Sequence, residues 1–364
     1  GDQAYILERI RETAKDRQAD AVLIAGDVFD RPVPSEAAVR LLDSFLTGLA
    51  ADGITVCVIS GNHDSDDRLA FGSRLFEANG IYISSKYEGT LKKLTMKDAY
   101  GSVNIYMLPF VKASQVRHYH PDEEIETYDD AVKAVIRSAS PDTSERNVIV
   151  AHQFVAQPDR EPEISGSEGV SVQSVGLVEK VGYDAFDGFD YAALGHIHSP
   201  QKVKRDEVRY CGSMLKYSVS EAGHEKSMPL VTLREKGDVA IELIPLIPIR
   251  DLRRIRGPIK KLLSAENVTD AEDFISATLT DPYPPEGAMG LFRQVYPNTL
   301  KIEFDNDHTR EIMDVFQSVF KERKTYEELV GDFYSEMYGT AISDEEMKIM
   351  REAAAEAGIQ DEAD

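Results

Sequence analysis

Cysteine is scarce in this chain of 364 residues, and Cys57 and Cys211 are the only two. Two thiols are too few for a disulfide framework and match no metal-ligand spacing, so we expect both to be small core residues. No apolar run approaches the roughly 18 residues that a membrane-spanning helix requires. Residues 1–10 also lack the basic and then apolar layout of a signal peptide. These absences predict a protein of the reducing cytoplasm with no membrane association.

Basic residues are outnumbered as well: 41 Lys and Arg stand against 64 Asp and Glu, giving a formal net charge of −23. This balance argues at first against a nucleic-acid-binding protein. The acidic excess is uneven, because residues 307–364 hold 16 acidic and 6 basic side chains. Residues 250–261 instead hold only Asp251 against six basic residues: Arg250, Arg253, Arg254, Arg256, Lys260 and Lys261. This basic segment can contact phosphate groups, or it can form a solvated face or a partner contact.

The apolar pattern predicts an α/β fold built from layers. Residues 4–15 place apolar side chains at helical spacing, and residues 21–26 form the continuous apolar run of a buried parallel strand. A second helix is predicted over residues 35–49, with Ser35 as its N-cap, and a second buried strand over residues 54–59. Further short strands are predicted at residues 103–108, 148–151, 191–194, 209–212, 230–233 and 240–244. The alternation indicates mixed sheets flanked by helices.

Three domains are predicted. A Pro-x-x-Pro pattern at 245–248 marks the first boundary, so a main α/β domain spans residues 1–246. A small α+β domain follows over residues 247–306, with a helix at 270–278 and a strand at 299–304. A helical tail spans residues 307–364, where apolar stripes at 312–320 and 326–334 precede a capping box that starts at Ser343.

Four polar motifs each follow an apolar strand at its carboxyl end. They are Gly26-Asp27-Val28-Phe29-Asp30, Gly61-Asn62-His63-Asp64, Ala151-His152-Gln153 and Gly195-His196-Ile197-His198. Strand ends are where an open α/β sheet gathers its site residues, and a preceding glycine lets the backbone turn sharply towards an ion. Taken singly, each motif also fits a capping or hydrogen-bonded structural residue. The ordered set favours a metal site.

The residue types suit a pair of divalent cations. The Asp27 carboxylate can bridge two ions, while the Asn62 carbonyl oxygen and neutral imidazoles supply the mixed oxygen and nitrogen shell of Mn²⁺, Fe²⁺ or Zn²⁺. His196 and His198 are two residues apart on a loop, so each can face a different ion. Two ions can acidify a bridging water and clamp an in-line phosphoryl displacement. His63 need not be a ligand, and it can stabilise phosphate charge or protonate the leaving oxygen.

This ordered set resembles the calcineurin-like metallophosphoesterase family, and several strings are similar to its SbcD branch. The strings are Ala25-Gly-Asp-Val-Phe-Asp30, Ser60-Gly-Asn-His-Asp-Ser65, Leu194-Gly-His-Ile-His-Ser199, Asp2-Gln-Ala-Tyr-Ile-Leu7, Tyr210-Cys-Gly-Ser-Met214 and Tyr296-Pro-Asn-Thr-Leu300. The resemblance implies five metal ligands: Asp27, Asn62, His152, His196 and His198. Asp27 would bridge the two ions and His198 would be a ligand of one of them, while Asn62, His152 and His196 would complete the ligand set of the other. His63 would assist the phosphate.

The resemblance also implies a function. Enzymes of this branch are Mn²⁺-dependent nucleases that act as exonucleases on double-stranded DNA ends and as endonucleases on hairpins or single strands. They form homodimers and work with an SMC-like coiled-coil ATPase of the SbcC type in DNA repair, recombination and replication. Residues 247–306 resemble their capping domain, and the C-terminal helices resemble the segment that docks on the ATPase. Those helices can equally pack on this chain's own core.

The resemblance departs at the start of the chain. The family opens with a strand that ends in Asp-x-His, whereas no histidine precedes His63 here. One ion is therefore expected to retain only Asp27 and His198, and activity is expected to be impaired. Either a preceding segment is missing, which the abrupt match from Asp2 favours, or the chain is a natural variant. Two alternative functions stay open: a scaffold that binds DNA and the ATPase, and a phosphodiesterase of small substrates.

The remaining histidines, His118, His120, His224 and His308, are expected to be solvated, although His224 can also approach the site. The Ser-, Gly- and Val-rich residues 165–176 are predicted to form a loop near the site.

Overall fold

The computed structural model describes residues 1–166, 180–283, 285–306 and 326–356. The helices are α1 (Asp2–Asp16), α2 (Glu36–Ala51), α3 (Asp66–Leu69), α4 (Ser73–Glu77), α5 (Ala113–Tyr119), α6 (Tyr128–Ala139), α7 (Ile259–Leu262), α8 (Ala288–Val295), α9 (Tyr326–Tyr338) and α10 (Asp344–Glu356). Short 3₁₀ helices cover Tyr183–Phe186 and Val219–Gly223.

The strands alternate with these helices in the first half of the chain and dominate after it. They are β1 (Ala21–Ala25), β2 (Thr55–Ile59), β3 (Ile81–Ser84), β4 (Lys92–Asp98), β5 (Gly101–Leu108), β6 (Arg146–His152), β7 (Val155–Ala156), β8 (Val181–Gly182), β9 (Tyr191–Gly195), β10 (Gln201–Val203), β11 (Arg205–Tyr210), β12 (Ser227–Leu233), β13 (Val239–Pro245), β14 (Leu252–Gly257), β15 (Phe274–Leu279) and β16 (Thr299–Phe304).

Two sheets form the frame of residues 21–210. One is a parallel sheet of three strands in the order β1-β2-β3. The other has six strands in the order β10-β11-β9-β6-β5-β4. Its four central strands are parallel, and an antiparallel strand closes each edge. The antiparallel pair β12 and β13 follows as a separate two-stranded sheet. The sheets are therefore mixed, as the apolar pattern predicts.

The inner faces of the two main sheets share one apolar core. Cys57 and Ile59 of β2 belong to the same buried cluster as Met107 and Val150 of the larger sheet. Helices cover the outer faces: Leu49 of α2 packs in the cluster that contains β2 side chains, and residues of α6 pack with β6 and β9. The layered α/β prediction is confirmed.

The chain forms two compact units. The first comprises Gly1–Arg254 and Asp270–Ser276, and the second comprises Ile255–Thr269 and Ala277–Asp364. The boundaries predicted at residues 246 and 306 stay predictions. Among the described residues, no helix combines the length and the apolar character needed to cross a bilayer. The apolar stripe at 312–320, His308 and most of the 165–176 loop lie outside the described residues.

The predicted helix at residues 270–278 is wrong, because the chain forms strand β15 there. Ile275, Ala277 and Leu279 are fully buried and recur at every second position, which is the period of a strand. β15 is the central strand of a sheet with the order β14-β15-β16. The helical interpretation counted apolar residues without the neighbouring strands that bury this face. The predicted strand β16 is confirmed.

The helix caps agree with their predictions, whereas the cysteines and histidines agree only in part. The Ser35 hydroxyl accepts from the Ala38 N–H and caps α2, and Ser343 and Glu346 form the capping box that begins α10. Cys57 is buried, whereas Cys211 is half-buried and follows β11. The remaining described histidines divide: His118 is exposed as expected, whereas two others depart from the expectation. They are the half-buried His120 and His224.

His120 is half-buried because it forms part of a polar chain at the C-terminal end of α5. Its Nε2 lies 2.7 Å from the Tyr87 hydroxyl, and its Nδ1 lies 3.1 Å from Glu123 Oε1. Tyr87 itself is buried, so its hydroxyl needs a partner inside the protein. His120 supplies that partner.

Candidate metal centre

Four of the motif residues meet where strands of the two main sheets end. Asp27 follows β1 and Asn62 follows β2, whereas His152 is the last residue of β6 and His196 comes directly after β9. Within each sheet these strands run parallel, so their carboxyl ends deliver the side chains to one edge. The site therefore lies between the two sheets.

The candidate ligand atoms are close together. Asn62 Oδ1 lies 3.0 Å from His196 Nδ1 and 3.1 Å from His152 Nε2. Asp27 Oδ2 lies 3.2 Å from the same His152 Nε2. The ligand atoms of Asp27, His152 and His196 all lie within 4.8 Å of one another. Among the described His, Cys, Asp and Glu residues, these three form the one group of at least three that meets this spacing.

The tautomer of His152 makes this group suitable for a cation. His152 Nδ1 donates to the Ala25 carbonyl oxygen at 2.8 Å, so the neutral ring carries its proton on Nδ1. Its Nε2 then presents a lone pair towards the oxygens of Asn62 and Asp27. Three electron-rich atoms converge, and only a proton or a metal ion can satisfy them together. The nitrogen and oxygen donors fit a divalent transition metal.

Burial and charge act against each other at the Asp27–His152 pair. Burial alone would raise the pKa of Asp27, but the charge and hydrogen bond of His152 and the His63 N–H lower it to about 2. Burial alone would lower the pKa of His152, but the Asp27 carboxylate and the Ala25 carbonyl hold it above its usual range. The site thus stabilises the Asp27 carboxylate together with a positive charge on the His152 ring. A bound metal cation can take the place of the proton that carries this positive charge.

Two glycines beside the site leave no room for a side chain at their positions. A Cβ on Gly195 would lie 1.8 Å from the Ala25 carbonyl oxygen, and one on Gly61 would lie 2.1 Å from Asp27 Oδ1. Asp27 has a φ of 46° and His196 a φ of 97°, both in the left-handed region that side chains disfavour. Strain of this kind persists only where the surrounding structure imposes it, and it is common at functional sites.

Comparison with protein families agrees with this geometry. Residues 1–200 match the family model of the calcineurin-like phosphoesterases, which covers more than half of the chain. The chain belongs to the calcineurin-like phosphoesterase family. Residues 248–338 match the SbcD C-terminal model, described as the type 5 capsule protein repressor C-terminal domain. The two matches together support an SbcD-type nuclease subunit. The family implies a phosphoesterase that depends on divalent metal ions.

Asp64 shapes the phosphoesterase site, although no role was predicted for it. Its buried carboxylate accepts from the N–H groups of Gly61 at 2.8 Å, Phe29 at 2.9 Å and Val28 at 3.1 Å. These bonds tie the loop after β1 to the loop after β2. Burial raises the pKa of Asp64, and the three N–H groups oppose that rise. The one sequence feature that pointed to a role for Asp64 is its position at the end of the motif Gly61-Asn62-His63-Asp64.

His63 lies beside the metal ligands. Its backbone N–H donates to Asp27 Oδ1 at 3.0 Å, which fixes the carboxylate. Its ring Nδ1 donates to the Asp30 carbonyl oxygen at 3.1 Å, so Nε2 is the ring atom left for a substrate. The ring is half-buried at the end of β2. This position suits the phosphate-assisting role predicted for it.

His198 does not join the Asp27 group. Its Nδ1 lies 3.4 Å from Oε1 of Glu221, a residue of the 3₁₀ helix Val219–Gly223. Glu221 is fully buried and pairs with Lys226, which is also buried. The sequence offered little to single out this pair, since both residues lie among other charged and polar residues after β11.

Proposed function

We propose that this chain is the nuclease subunit of an SbcD-type complex and hydrolyses phosphodiester bonds in DNA. The observation that carries the proposal is the convergence of Asp27, Asn62, His152 and His196 at the ends of four strands, with the fixed His152 tautomer. The match of residues 248–338 to the SbcD C-terminal model supports DNA rather than a small phosphodiester as the substrate.

Two divalent ions are proposed, with Mn²⁺ as the native metal. Asn62, His152 and His196 would hold one ion, His198 would serve the other, and Asp27 would contribute to both. When bound, the ions polarise the phosphate and acidify a water molecule. Within residues 1–364, the second ion has only Asp27 and His198 as proposed ligands. We therefore expect it to bind more weakly than the first and to limit activity.

The side chains of the site have separate tasks. The Asp27 carboxylate is held by the His63 N–H, so it meets an ion in one orientation. As an imidazolium, with Nδ1 still donating to the Asp30 carbonyl oxygen, the His63 ring can give its Nε2 proton to the leaving oxygen or stabilise charge on the phosphate. Asp64 keeps the two loops in place through its three backbone N–H partners and is not among the proposed ligands.

The basic segment contributes fewer phosphate contacts than its composition indicates. Three of its arginines form ion pairs within the protein: Arg250 with Asp2, Arg253 with Asp273, and Arg256 with Asp305. The other three basic side chains are exposed: Arg254, Lys260 and Lys261. We propose that these three contact the DNA backbone, with bound metal ions supplying further positive charge.

The proposed partners are a coiled-coil ATPase of the SbcC type and a second copy of this chain, acting in DNA repair, recombination and replication. The SbcD C-terminal match supports the ATPase. Exposed apolar side chains on the α3–α4 segment, Phe71 at 84% and Leu75 at 75%, suit a surface that a second copy covers. The cytoplasmic location stays a prediction, to which the free thiols Cys57 and Cys211 are suited.

The direct test is degradation of linear duplex and hairpin DNA in the presence of Mn²⁺. We expect weak metal-dependent cleavage that disappears in Asn62→Ala and His152→Ala. His118→Ala serves as the matched control, because His118 is exposed. Cleavage that persists in His152→Ala would contradict the assigned site.

A scaffold function is the second candidate. The separation of His198 from the Asp27 group favours it, because a weakly held second ion would leave binding without cleavage. Capture of DNA and the ATPase by a chain that cleaves neither DNA nor bis(p-nitrophenyl) phosphate would support the scaffold. Cleavage of the small ester alone would instead indicate a small-substrate phosphodiesterase.

A further inference from the structure

A buried polar cluster surrounds His198 on the side of its Nδ1 atom. Glu221 is 0% exposed and Lys226 is 3% exposed, and Glu221 Oε2 accepts from Lys226 Nζ at 2.6 Å. The other carboxylate oxygen, Oε1, lies 3.4 Å from His198 Nδ1. Ser213 completes the cluster, because its hydroxyl donates to Glu221 Oε2 at 3.0 Å. Glu221 therefore links a buried ammonium group to an imidazole ring.

Lys226 also holds the backbone of the same histidine. Its ammonium group donates to the His198 carbonyl oxygen at 2.8 Å and to the Ser213 hydroxyl at 2.7 Å. The Ser213 N–H donates to the same carbonyl oxygen at 3.2 Å. Both the main chain and the ring of His198 are thus fixed by one cluster.

Stability alone is a poor reason for such a pair. Taking a carboxylate and an ammonium group out of water carries a large desolvation penalty, and apolar replacements of similar volume are often neutral or stabilising. A buried ion pair that contacts a histidine ring has a further use. The hydrogen bond at one ring nitrogen decides which nitrogen is free to bind a metal.

We infer that Glu221, balanced by Lys226, is a positioning residue that keeps the His198 proton on Nδ1, so that Nε2 would be the ligand atom for a divalent ion. The inference rests on the proposed role of His198 as a ligand of the second ion. The carboxylate at Nδ1 also makes Nε2 a better electron donor. This support matters most for an ion that has only two proposed ligands in this chain.

Two variants of the full chain test the inference. Glu221→Gln removes the charge and keeps the shape, and the double variant Glu221→Met with Lys226→Met removes both charges together. Glu225→Gln is the matched control, because Glu225 is an exposed carboxylate in the same segment. Thermal melting establishes that each variant is folded. Should the double variant fail to fold, Glu221→Gln decides the test alone.

The first readout is the ring tautomer in metal-free protein. Nitrogen NMR of labelled histidine, at mildly alkaline pH where imidazole is neutral, distinguishes a proton on Nδ1 from one on Nε2. His198→Gln identifies the His198 signals by their loss. We expect the Nδ1–H form in the wild type and in Glu225→Gln, and a shift towards Nε2–H in the double variant.

The second readout is Mn²⁺ binding followed by electron paramagnetic resonance. The site of interest is the one whose Mn²⁺ affinity falls in His198→Gln. Its affinity is expected to fall about 10- to 100-fold in Glu221→Gln and in the double variant, while the other ion binds unchanged. Folded variants with wild-type affinity for that ion would overturn the inference, and so would an Nε2–H tautomer in the wild type. A wild type that binds no Mn²⁺ would instead contradict the proposed function, and the NMR result would still decide the tautomer.

Discussion

The Nε2 atom of His152 lies 3.2 Å from the Oδ2 atom of Asp27, although the two residues end strands of different sheets. This contact joins the sheets at the proposed metal centre. In it, a proton on Nε2 and a metal ion compete for the same lone pair.

Metal affinity is therefore predicted to rise with pH. The pKa of His152 is raised, so its Nε2 stays protonated to a higher pH than an ordinary imidazole and must lose that proton when a cation binds. Mn²⁺ titrations across the neutral range should show tighter binding as pH increases. Calorimetry in buffers with different heats of ionisation should detect the released proton. Affinity that does not change over this range would contradict the prediction.

The same two pKa shifts affect the stability of the metal-free protein in opposite directions. The raised pKa of His152 stabilises the fold below the unfolded value of about 6.5, and this contribution is lost as pH rises through the folded pKa. The lowered pKa of Asp27 stabilises the fold above 3.8 by about 2 kcal/mol, and this is lost as pH falls towards about 2. Urea unfolding in EDTA should show both losses, and Mn²⁺ should reverse the one at high pH.

Gly195→Ala is predicted to disrupt the site and the fold together. The added methyl group would lie 1.8 Å from the Ala25 carbonyl oxygen. Moving the end of β9 would displace His196, and moving the end of β1 would displace the carbonyl group that holds His152. We expect a loss of at least about 2 kcal/mol in the free energy of unfolding, with loss of tight Mn²⁺ binding. Gly290→Ala is the control, because its methyl group meets nothing within 4 Å in helix α8 and should be neutral or slightly stabilising.

Tyr210→Phe is predicted to destabilise the larger sheet. The buried Tyr210 hydroxyl accepts from the Val155 N–H at 2.6 Å and donates to the Gln153 carbonyl oxygen at 3.0 Å. Removing it leaves buried groups without partners, at a cost of about 1–3 kcal/mol. Denaturant unfolding measures this, with Tyr5→Phe as the partly exposed control. A wild-type midpoint would show that the main chain finds other partners.

Asp64→Asn is predicted to weaken metal binding without removing a ligand. An amide presents one acceptor oxygen where the carboxylate accepts three N–H groups, so the loops that carry Asp27 and Asn62 lose part of their connection. We expect weaker Mn²⁺ binding and a loss of about 1–3 kcal/mol in stability. Asp67→Asn removes an exposed carboxylate and serves as the control. Equal Mn²⁺ affinity in both variants would remove Asp64 from the site.

The sequence predicted the strand ends well because each was marked twice. Continuous apolar runs predicted buried strands, and a small residue followed by a polar one marked the point where each strand stops: glycine in three motifs and Ala151 in the fourth. The grouping of His152 with His196 followed from neighbouring parallel strands of one sheet, whose carboxyl ends lie at the same edge. The family resemblance carried the roles of individual residues, which apolar patterns do not determine.

Other features depend on neighbours that are distant in the sequence. β15 was predicted as a helix because its buried face is created by β14 and β16. His120 was predicted to be solvated because its partner Tyr87 lies on another segment. The Glu221–Lys226 pair could not be separated from ordinary surface charges, since only folding removes both side chains from water. In each case the deciding contact is tertiary.

The left-handed backbone at Asp27 and His196 has a consequence for engineering a more heat-stable form of this protein. Glycine would adopt the positive φ at either position without strain. A laboratory selection for heat resistance alone would therefore favour glycine substitutions there. The selected variants would be more stable but less active, because the substitution that relieves backbone strain also removes a proposed metal ligand. A useful selection must therefore reward catalysis in the same round.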